Sequence, residues 1–425
     1  MNLPSISNLF PSNSHTGRAF RAFRGFGLAV IMAGLLGACQ TAGPAPGHAA
    51  PAPQATARPE AAHPLISEAP GFMRLPGMTA DKVPVRIGLM LPFSNGSSNT
   101  RALADAMLKA AEMGVSDSGK RDLLLMPVDE GSNPAETATA ARKLLDQGAE
   151  IIIGPLFASA VSAVAPIARD RGVPVLAFST DRTVAGHGVY LLSFQPEDEV
   201  RAIVTYAASQ GHTRFAALTP LTPYGDRVTA AFRTTVQDVK GTVSGIERFD
   251  PSSGTAVAQS AAIAKGQPDS VLIAQGGALL RGIAPTLVVN GLPPETVKYL
   301  GTGVWDDPTI AQEPALQGGW FAAPTPNAQD GFDARFQAVF GTTPPQLATL
   351  PYDAVSLVAL LSAGEPYHRF TDAALTDPNG FAGVDGIFRF FPDGSDERGL
   401  AILRVAPDGF QIQQPAPTTF QPLGG

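Results

Sequence analysis

A regular alternation of apolar strands and amphipathic helices constrains the fold of this chain more than any other feature. The segment VRIGLML, residues 85–91, is apolar over most of its length and ends at a proline and a polar loop, as strands do. After it, Leu103, Ala106, Met107 and Ala110 repeat with the spacing of one helical face. The segments LLLMPV, EIIIG and PVLAF continue the pattern, with helical spacing between them. Strands that are apolar on both faces and alternate with helices predict a parallel sheet covered by helices on both sides.

The second half of the chain repeats this alternation. Its strand-like segments are RFAALT, VSGIERF, SVLIA and VKYLG, each separated from the next by a helical pattern. The block VDEGSNPAETATAARKLLDQGAEIIIG resembles FDPSSGTAVAQSAAIAKGQPDSVLIA, since each has a strand-ending acid, a helix, a turn and an apolar strand. Coincidence is the alternative explanation, because any two βαβ units share this rhythm. The sequence predicts an α/β fold of two lobes, each a parallel doubly wound sheet with flanking helices.

A short apolar run, residues 25–36, precedes Cys39, the only cysteine of the chain. A membrane-spanning helix needs about 20 apolar residues, so the run is too short to be one. Three arginines and no acidic residue come before it, which is the arrangement of a secretory signal. The residues LGAC resemble the lipobox of bacterial lipoproteins, in which the cysteine is diacylated and becomes the mature N-terminus. We therefore expect a signal peptide over residues 1–38 and a lipid on Cys39; a buried core cysteine or a catalytic thiol is the alternative.

Residues 39–83 are dominated by Ala, Pro and Gly without apolar periodicity, which predicts a lipid-anchored disordered tether. Pro-rich linkers extend by about 3.1 Å per residue, so this tether would hold a folded domain several tens of ångströms from a membrane. Gln40 replaces the aspartate of an inner-membrane retention signal, so the resemblance to Gram-negative lipoproteins implies a periplasmic protein anchored to the outer membrane. Because residues 1–38 contain three arginines and no acid, their removal changes the net charge from −7 to −10. An acidic domain is a poor binder of nucleic acid.

Several segments together resemble the type I periplasmic solute-binding fold, in its branched-chain amino-acid-binding branch. They are IGLMLPFS, VDEGSNPAETATAARKLL, IIIGPLFASAVSAVAPIARDRGVPVLAFST, TPYGDRV, YLGTGVW and GVDGIFRFFPDG. The likeness implies a domain over residues 84–412 with a ligand cleft between its lobes. It also implies three crossings between the lobes, near Phe194, Ala323 and Gly383.

The crossings divide each lobe into two sequence segments. Lobe I would comprise residues 84–195 and 324–382, and lobe II residues 196–323 and 383–412. Residues 413–425 are expected to form a disordered tail.

The same resemblance implies the residues that contact a ligand. Ser159, Ser179 and Thr180 match positions that hold a ligand carboxylate, although capping of helix ends would equally explain such residues. Tyr224 matches a wall of the cleft, or is an aromatic residue of the lobe surface. Asp306 lies close to the position of an acid that pairs with a ligand ammonium, and Trp305 beside it would narrow the cleft.

The sequence does not favour an enzyme, a metal site or a cofactor. Outside the signal and tether, His187, His212 and His368 are far apart and lack metal-ligand spacing. The chain contains neither a G-x-S-x-G nucleophile elbow nor a phosphate-binding P-loop, and GTGVWD lacks the third glycine of a dinucleotide-binding turn.

Two functions on one fold remain open. The first is that of a penicillin-binding-protein activator, a lipoprotein with a C-terminal solute-binding-like domain that stimulates a peptidoglycan synthase; its partner would be a penicillin-binding protein. The second is that of the substrate-binding receptor of an ABC importer for amino acids or related small molecules, whose partner would be an ABC permease. The expected outer-membrane anchor and the long tether favour the activator.

Overall fold

The computed structural model describes residues 83–420. The predicted signal peptide, Cys39 and the tether up to residue 82 lie outside the described residues, as do residues 421–425 of the predicted tail. None of the helices in the described part is both long enough and apolar enough to cross a membrane.

Lobe I is built on a five-stranded, all-parallel sheet with the strand order β2-β1-β3-β4-β5. Its strands are β1 (Val85–Leu91), β2 (Leu123–Asp129), β3 (Ile151–Ile153), β4 (Val175–Ala177) and β5 (Val189–Leu191). Helices α1 (Ser98–Asp117), α2 (Pro134–Asp146) and α3 (Ala158–Asp170) alternate with these strands. All seven residues of β1 are buried, as expected for a strand covered by helices on both faces.

Lobe II is built on a seven-stranded sheet with the order β15-β14-β10-β9-β8-β6-β7. Its strands are β6 (Arg214–Pro220), β7 (Thr242–Phe249), β8 (Ser270–Ile273), β9 (Lys298–Gly301), β10 (Trp320–Ala323), β14 (Ala401–Ala406) and β15 (Gly409–Gln414). Its helices are α4 (Pro196–Ser209), α5 (Pro223–Asp238), α6 (Val257–Lys265) and α7 (Gly277–Val289). Strands β6 to β10 are parallel, but β14 is antiparallel to β10 and β15 to β14, so this sheet is mixed rather than wholly parallel as predicted.

The chain between β10 and β14 returns to lobe I. It forms α8 (Asp330–Phe340), α9 (Thr349–Leu361) and α10 (Asp372–Leu375), and α9 packs against α1. Gly114 of α1 permits this approach, because a Cβ there would lie 3.2 Å from the carbonyl oxygen of Tyr352.

A small antiparallel sheet, which we call the hinge sheet, follows these helices. It consists of β11 (Phe381–Gly383), β12 (Gly386–Phe390) and β13 (Asp396–Arg398). Phe388 and Phe390 belong to the hydrophobic core of lobe I, and the N–H of Leu191 donates to the carbonyl oxygen of Gly394 over 2.8 Å. The chain therefore enters the lobe II sheet only after Arg398, and the prediction of a crossing near Gly383 was wrong. The Phe side chains of β12 pack against apolar residues of lobe I. The alternation of strands in the sequence does not indicate which lobe a strand packs on.

The predicted disordered tail, residues 413–425, starts inside a regular element. Strand β15 extends to Gln414. The ring of Phe420 lies 4.5 Å from the guanidinium carbon of Arg389 on β12. Residues 413–420 are thus ordered against the domain, in contrast to the prediction.

Each lobe has its own hydrophobic core on both faces of its sheet. Trp305, predicted to narrow the cleft, is instead fully buried in the core of lobe II. Its indole N–H donates to the carbonyl oxygen of Ile273 at 3.1 Å. A Cβ at Gly301 would lie 2.2 Å from the indole ring, so only glycine admits the ring at this position.

Candidate functional site

The candidate site is the cleft edge of each lobe, by which we mean the loops after the carboxyl ends of its parallel strands. Ligands of doubly wound α/β folds lie at such edges, where helix N-termini present free backbone N–H groups. In lobe I, the loops after β3 and β4 are joined by a hydrogen bond from the N–H of Phe178 to the carbonyl oxygen of Pro155 at 3.0 Å. The residues predicted to hold a carboxylate follow these two neighbouring strands.

The three predicted hydroxyl residues differ in how accessible they are. Ser159 is exposed in the first turn of α3, a helix that no side chain caps at its N-cap residue, Phe157. Thr180 is also exposed. Ser179 is buried, and its Oγ accepts a hydrogen bond from the N–H of Asp181 at 3.1 Å. The structure therefore leaves Ser159 and Thr180 open to a ligand, whereas Ser179 stabilises its own turn.

Glu130, at the end of β2, is a buried acid at this edge that sequence reasoning missed. One of its carboxyl oxygens accepts a hydrogen bond from the N–H of Leu156, at 3.2 Å, just before α3. Burial raises the pKa of Glu130 to about 7. The carboxyl group thus holds the loop that leads into α3.

Across the cleft, Tyr224 is half-buried near the start of α5. Its hydroxyl group and that of Thr302, after β9, form a hydrogen bond of 2.6 Å. Burial, together with the negative charge of Glu199, raises the pKa of Tyr224. The predicted cleft wall therefore fastens the β9 loop to α5 within lobe II.

Glu199 of α4 also holds this loop. Its carboxyl group accepts a hydrogen bond from the N–H of Gly303 at 3.0 Å, and burial raises the pKa of Glu199 to about 8. A Cβ at Gly303 would lie 2.6 Å from Oε1 of Glu199, so the approach depends on glycine. The sequence offered one signal for this group, the acidic PEDE segment at the start of α4.

Asp306 follows this loop and belongs to lobe II, whereas the three hydroxyl residues belong to lobe I. Asp306 is exposed to solvent. Partial desolvation, followed by the negative charges of Asp307 and Asp385, raises the pKa of its carboxyl group. Asp385 is buried beside the hinge sheet and accepts hydrogen bonds from Gln329 and from Thr349, the latter at 2.5 Å. The Asp306 side chain is thus positioned among acidic groups, an environment that suits a cationic group of a ligand.

One charged pair joins the two lobes, and a second ion pair lies within lobe II. Arg182, which follows β4 in lobe I, donates to Asp198 of α4 in lobe II at 3.1 Å. Arg227 of α5 binds both carboxyl oxygens of Glu197, at 2.7 and 2.5 Å, and Oε1 of Gln195 at 2.7 Å. Pattern reasoning did not identify Arg182 or Arg227, because their partners are distant in sequence.

Within residues 83–420, no three His, Cys, Asp or Glu side chains are grouped as metal ligands. What the edges offer is a set of hydrogen-bonding groups: the uncapped start of α3, two exposed hydroxyls on one lobe and an exposed carboxylate on the other. Such groups can bind a polar molecule.

Solved structures with this architecture are numerous. A protein from Rhodospirillum rubrum described as a branched-chain amino acid ABC transporter matches with a TM-score of 0.69 and 19% identity, over 78% of this chain and 100% of the other. A periplasmic ligand-binding protein of a branched-chain amino acid ABC transporter from Burkholderia xenovorans gives a TM-score of 0.63 at 18% identity, covering 80% and 96%. A solute-binding protein from R. palustris, solved in complex with 4-hydroxybenzoate, gives 0.57 at 17% identity, covering 80% and 98%. At these identities the likeness shows the fold.

Two curated relatives are similar in sequence over part of the chain. Both are named penicillin-binding protein activator LpoA. The relative from Edwardsiella piscicida is 28% identical over 168 residues, and that from Edwardsiella ictaluri 30% identical over 169 residues. Each match covers 37% of this chain and 24% of the relative, so the matched segment is about a quarter of the relative's length.

The family comparison covers most of the described chain. The periplasmic binding protein family model matches residues 84–410, which contain both sheets and both cleft edges. It agrees with the architecture, and the predicted two-lobed α/β fold and its resemblance to type I periplasmic binding proteins are confirmed. The chain belongs to the periplasmic binding protein family.

Proposed function

We propose that this chain is a penicillin-binding-protein activator, a cell-envelope lipoprotein whose binding-protein domain regulates peptidoglycan synthesis by contacting a synthase. The observation that carries the proposal is that several polar groups at the cleft edges already form hydrogen bonds within the chain. Ser179 bonds the N–H of Asp181, Tyr224 bonds Thr302, and Glu199 bonds the N–H of Gly303. A group that already has a good partner gains little by exchanging it for a ligand. Such edges suit a domain that acts through its surface better than one that carries a solute.

The curated relatives support the same choice. Both carry the name of an activator, and each aligned stretch covers 37% of this chain. The proposal assigns no catalytic residue to this chain, since its role would be to alter the activity of its partner.

The proposed location is the periplasm, with a lipid on Cys39 that anchors the chain, by preference to the outer membrane. The support is the lipobox-like sequence and the tether-like composition of residues 39–83. Replacing Cys39 with alanine should move the protein from the membrane fraction to the soluble fraction of cells. A Cys39→Ser variant should behave in the same way, because serine lacks the thiol that is acylated. Retention of both variants in the membrane would contradict lipidation.

Crosslinking in intact cells, followed by mass spectrometry, tests the partner directly. Capture of a penicillin-binding protein supports the proposal, and capture of an ABC permease subunit contradicts it. The purified full chain should also raise the rate at which the captured penicillin-binding protein polymerises or crosslinks peptidoglycan. If a saturating concentration of the chain leaves the rate of peptidoglycan synthesis unchanged, the activator function is contradicted, even if the two proteins bind.

A receptor for an ABC importer is the second candidate, and one arrangement favours it. The start of α3 has no side-chain cap, Ser159 and Thr180 on lobe I are exposed, and Asp306 on lobe II is exposed as well. Together with Tyr224 as a wall and Ser179 behind the turn, these groups could hold the carboxylate and ammonium groups of an amino acid.

Thermal shift measurements distinguish this second candidate. A ligand present at 100 times its Kd stabilises a protein by about 2.7 kcal/mol, a readily detected shift in Tm. A response to branched-chain amino acids that is lost in Asp306→Ala, and kept in Asp307→Ala, would support the receptor. No response to amino acids, benzoates or peptidoglycan fragments would leave the receptor without support.

A further inference from the structure

The two lobes are joined by more than the backbone. Chain segments cross between β5 and α4, between β10 and α8, and between β13 and β14. Such segments alone permit one lobe to rotate relative to the other, as in hinge motions around a cleft. Side chains that pair across the lobes therefore decide how freely the cleft opens.

A row of alternating charges spans the junction. It begins at Arg182 of lobe I, passes to Asp198 and Arg201 on α4 of lobe II, and ends at Glu397 and Arg389 of the hinge sheet. Successive nitrogen–oxygen distances are 3.1, 2.8, 3.6 and 2.7 Å. The hinge sheet packs on lobe I, so the row leaves lobe I, crosses α4 and returns to the side of lobe I.

Asp198 is the centre of this row. Its side chain is only 4% exposed, and Oδ1 accepts from both Arg182 and Arg201. The Nε atom of Arg182 also lies 3.8 Å from Oε2 of Glu197, the oxygen that Arg227 binds at 2.5 Å. Removing one partner from a buried ion pair leaves a charge without compensation, which costs much more than losing an exposed pair. Opening the lobes at Arg182 would leave the buried carboxylate of Asp198 with Arg201 as its remaining cation of the row.

We propose that Arg182 and Asp198 form an ionic latch that holds lobe I and lobe II at a fixed cleft angle. Asp198 is also linked to the hinge sheet, through the ion pairs of Arg201, Glu397 and Arg389. The latch does not depend on which partner or ligand the domain binds. It makes the domain a fixed scaffold that opens only when the Arg182–Asp198 pair is broken.

Distance measurements between spin labels test the latch in the full chain. Labels on cysteines introduced at Ala135 and Leu221 would report the cleft, since both residues are exposed and follow the carboxyl ends of a strand in their own lobe. Cys39→Ser in every sample leaves only these two thiols. In Arg182→Gln the distance distribution should widen and shift to longer distances relative to the parent protein.

A matched control is available within lobe I. Arg171 and Asp146 form an Arg–Asp pair of 2.8 Å that does not cross the junction, so Arg171→Gln should leave the distribution unchanged. Because Arg182 is 36% exposed, its replacement should not prevent folding. Asp198→Asn provides a second variant that should widen the distribution as well. The latch is disproved if both junction variants keep the parent distribution, or if the Arg171 control widens it equally.

Discussion

At the scale of single residues, the cleft edges are organised by acids that sequence patterns do not reveal. Glu130 and Glu199 each bond the N–H of a loop residue, Leu156 and Gly303 respectively. The sequence placed Ser159, Ser179, Thr180, Tyr224 and Asp306 at the edges by resemblance, and the structure puts each on the expected lobe. It could not foresee that Ser179 and Tyr224 are engaged internally, because their partners are set by tertiary packing.

A substitution at Gly303 measures how closely the β9 loop is fitted to α4. In Gly303→Ala the new Cβ would meet Oε1 of Glu199 at 2.6 Å, so the carboxyl group must move and its bond to the loop weakens. Overpacking of this kind costs about 1–3 kcal/mol, which urea unfolding would measure.

Gly331 is the matched control for this substitution. A Cβ there has no heavy atom within 4 Å, and the residue lies in α8. Gly331→Ala should leave the stability unchanged or raise it slightly, since nothing crowds the new Cβ and alanine is the better helix former. Equal effects of the two substitutions would show that the loop has room at Gly303.

At the scale of elements, the strand and helix alternation is strong enough to be found in the sequence, and the exceptions have physical reasons. The strands β1 and β6 are apolar and sit between helices, so their pattern is unambiguous. The hinge sheet and β14 lie in a segment that mixes charged and apolar residues, and which lobe they join depends on where Phe388 and Phe390 find apolar partners. The local sequence pattern does not indicate which lobe these strands join.

Helix α2 offers a test of how its start is fixed. The side chain of Asn133 accepts from the N–H groups of Ala135 and Glu136, and Glu136 accepts in return from the N–H of Ser132. Asn133→Ala removes the cap and should cost about 1 kcal/mol of unfolding free energy. Asn133→Asp keeps an acceptor and adds a charge that the helix dipole favours, so it should keep the stability of the parent. Chemical denaturation compares the variants, and an alanine variant as stable as the parent would exclude a capping contribution.

At the scale of the whole molecule, buried carboxyl groups at the junction and the cleft edges link stability to pH. Burial raises the pKa of Glu130, Asp353 and Asp396 to about 7 and that of Glu199 to about 8. An unfolded carboxyl group titrates near pH 4. Between that value and the folded pKa, the folded state binds more protons than the unfolded state, so these groups make stability fall as the pH rises.

Asp396 allows this dependence to be isolated. Burial and then the charge of Asp198 raise its pKa, while one carboxyl oxygen accepts from the N–H of Ser193 at 3.0 Å. Asp396→Asn keeps an acceptor for that N–H and removes the titrating group. At pH 5 the parent carries a protonated Asp396, so the two proteins should have similar Tm values. At pH 8 the parent must hold a buried carboxylate, so the variant should be the more stable, and its Tm should change less between the two pH values. Calorimetry across this range decides the matter, because parallel Tm curves for the two proteins would mean that Asp396 does not change its protonation between pH 5 and 8.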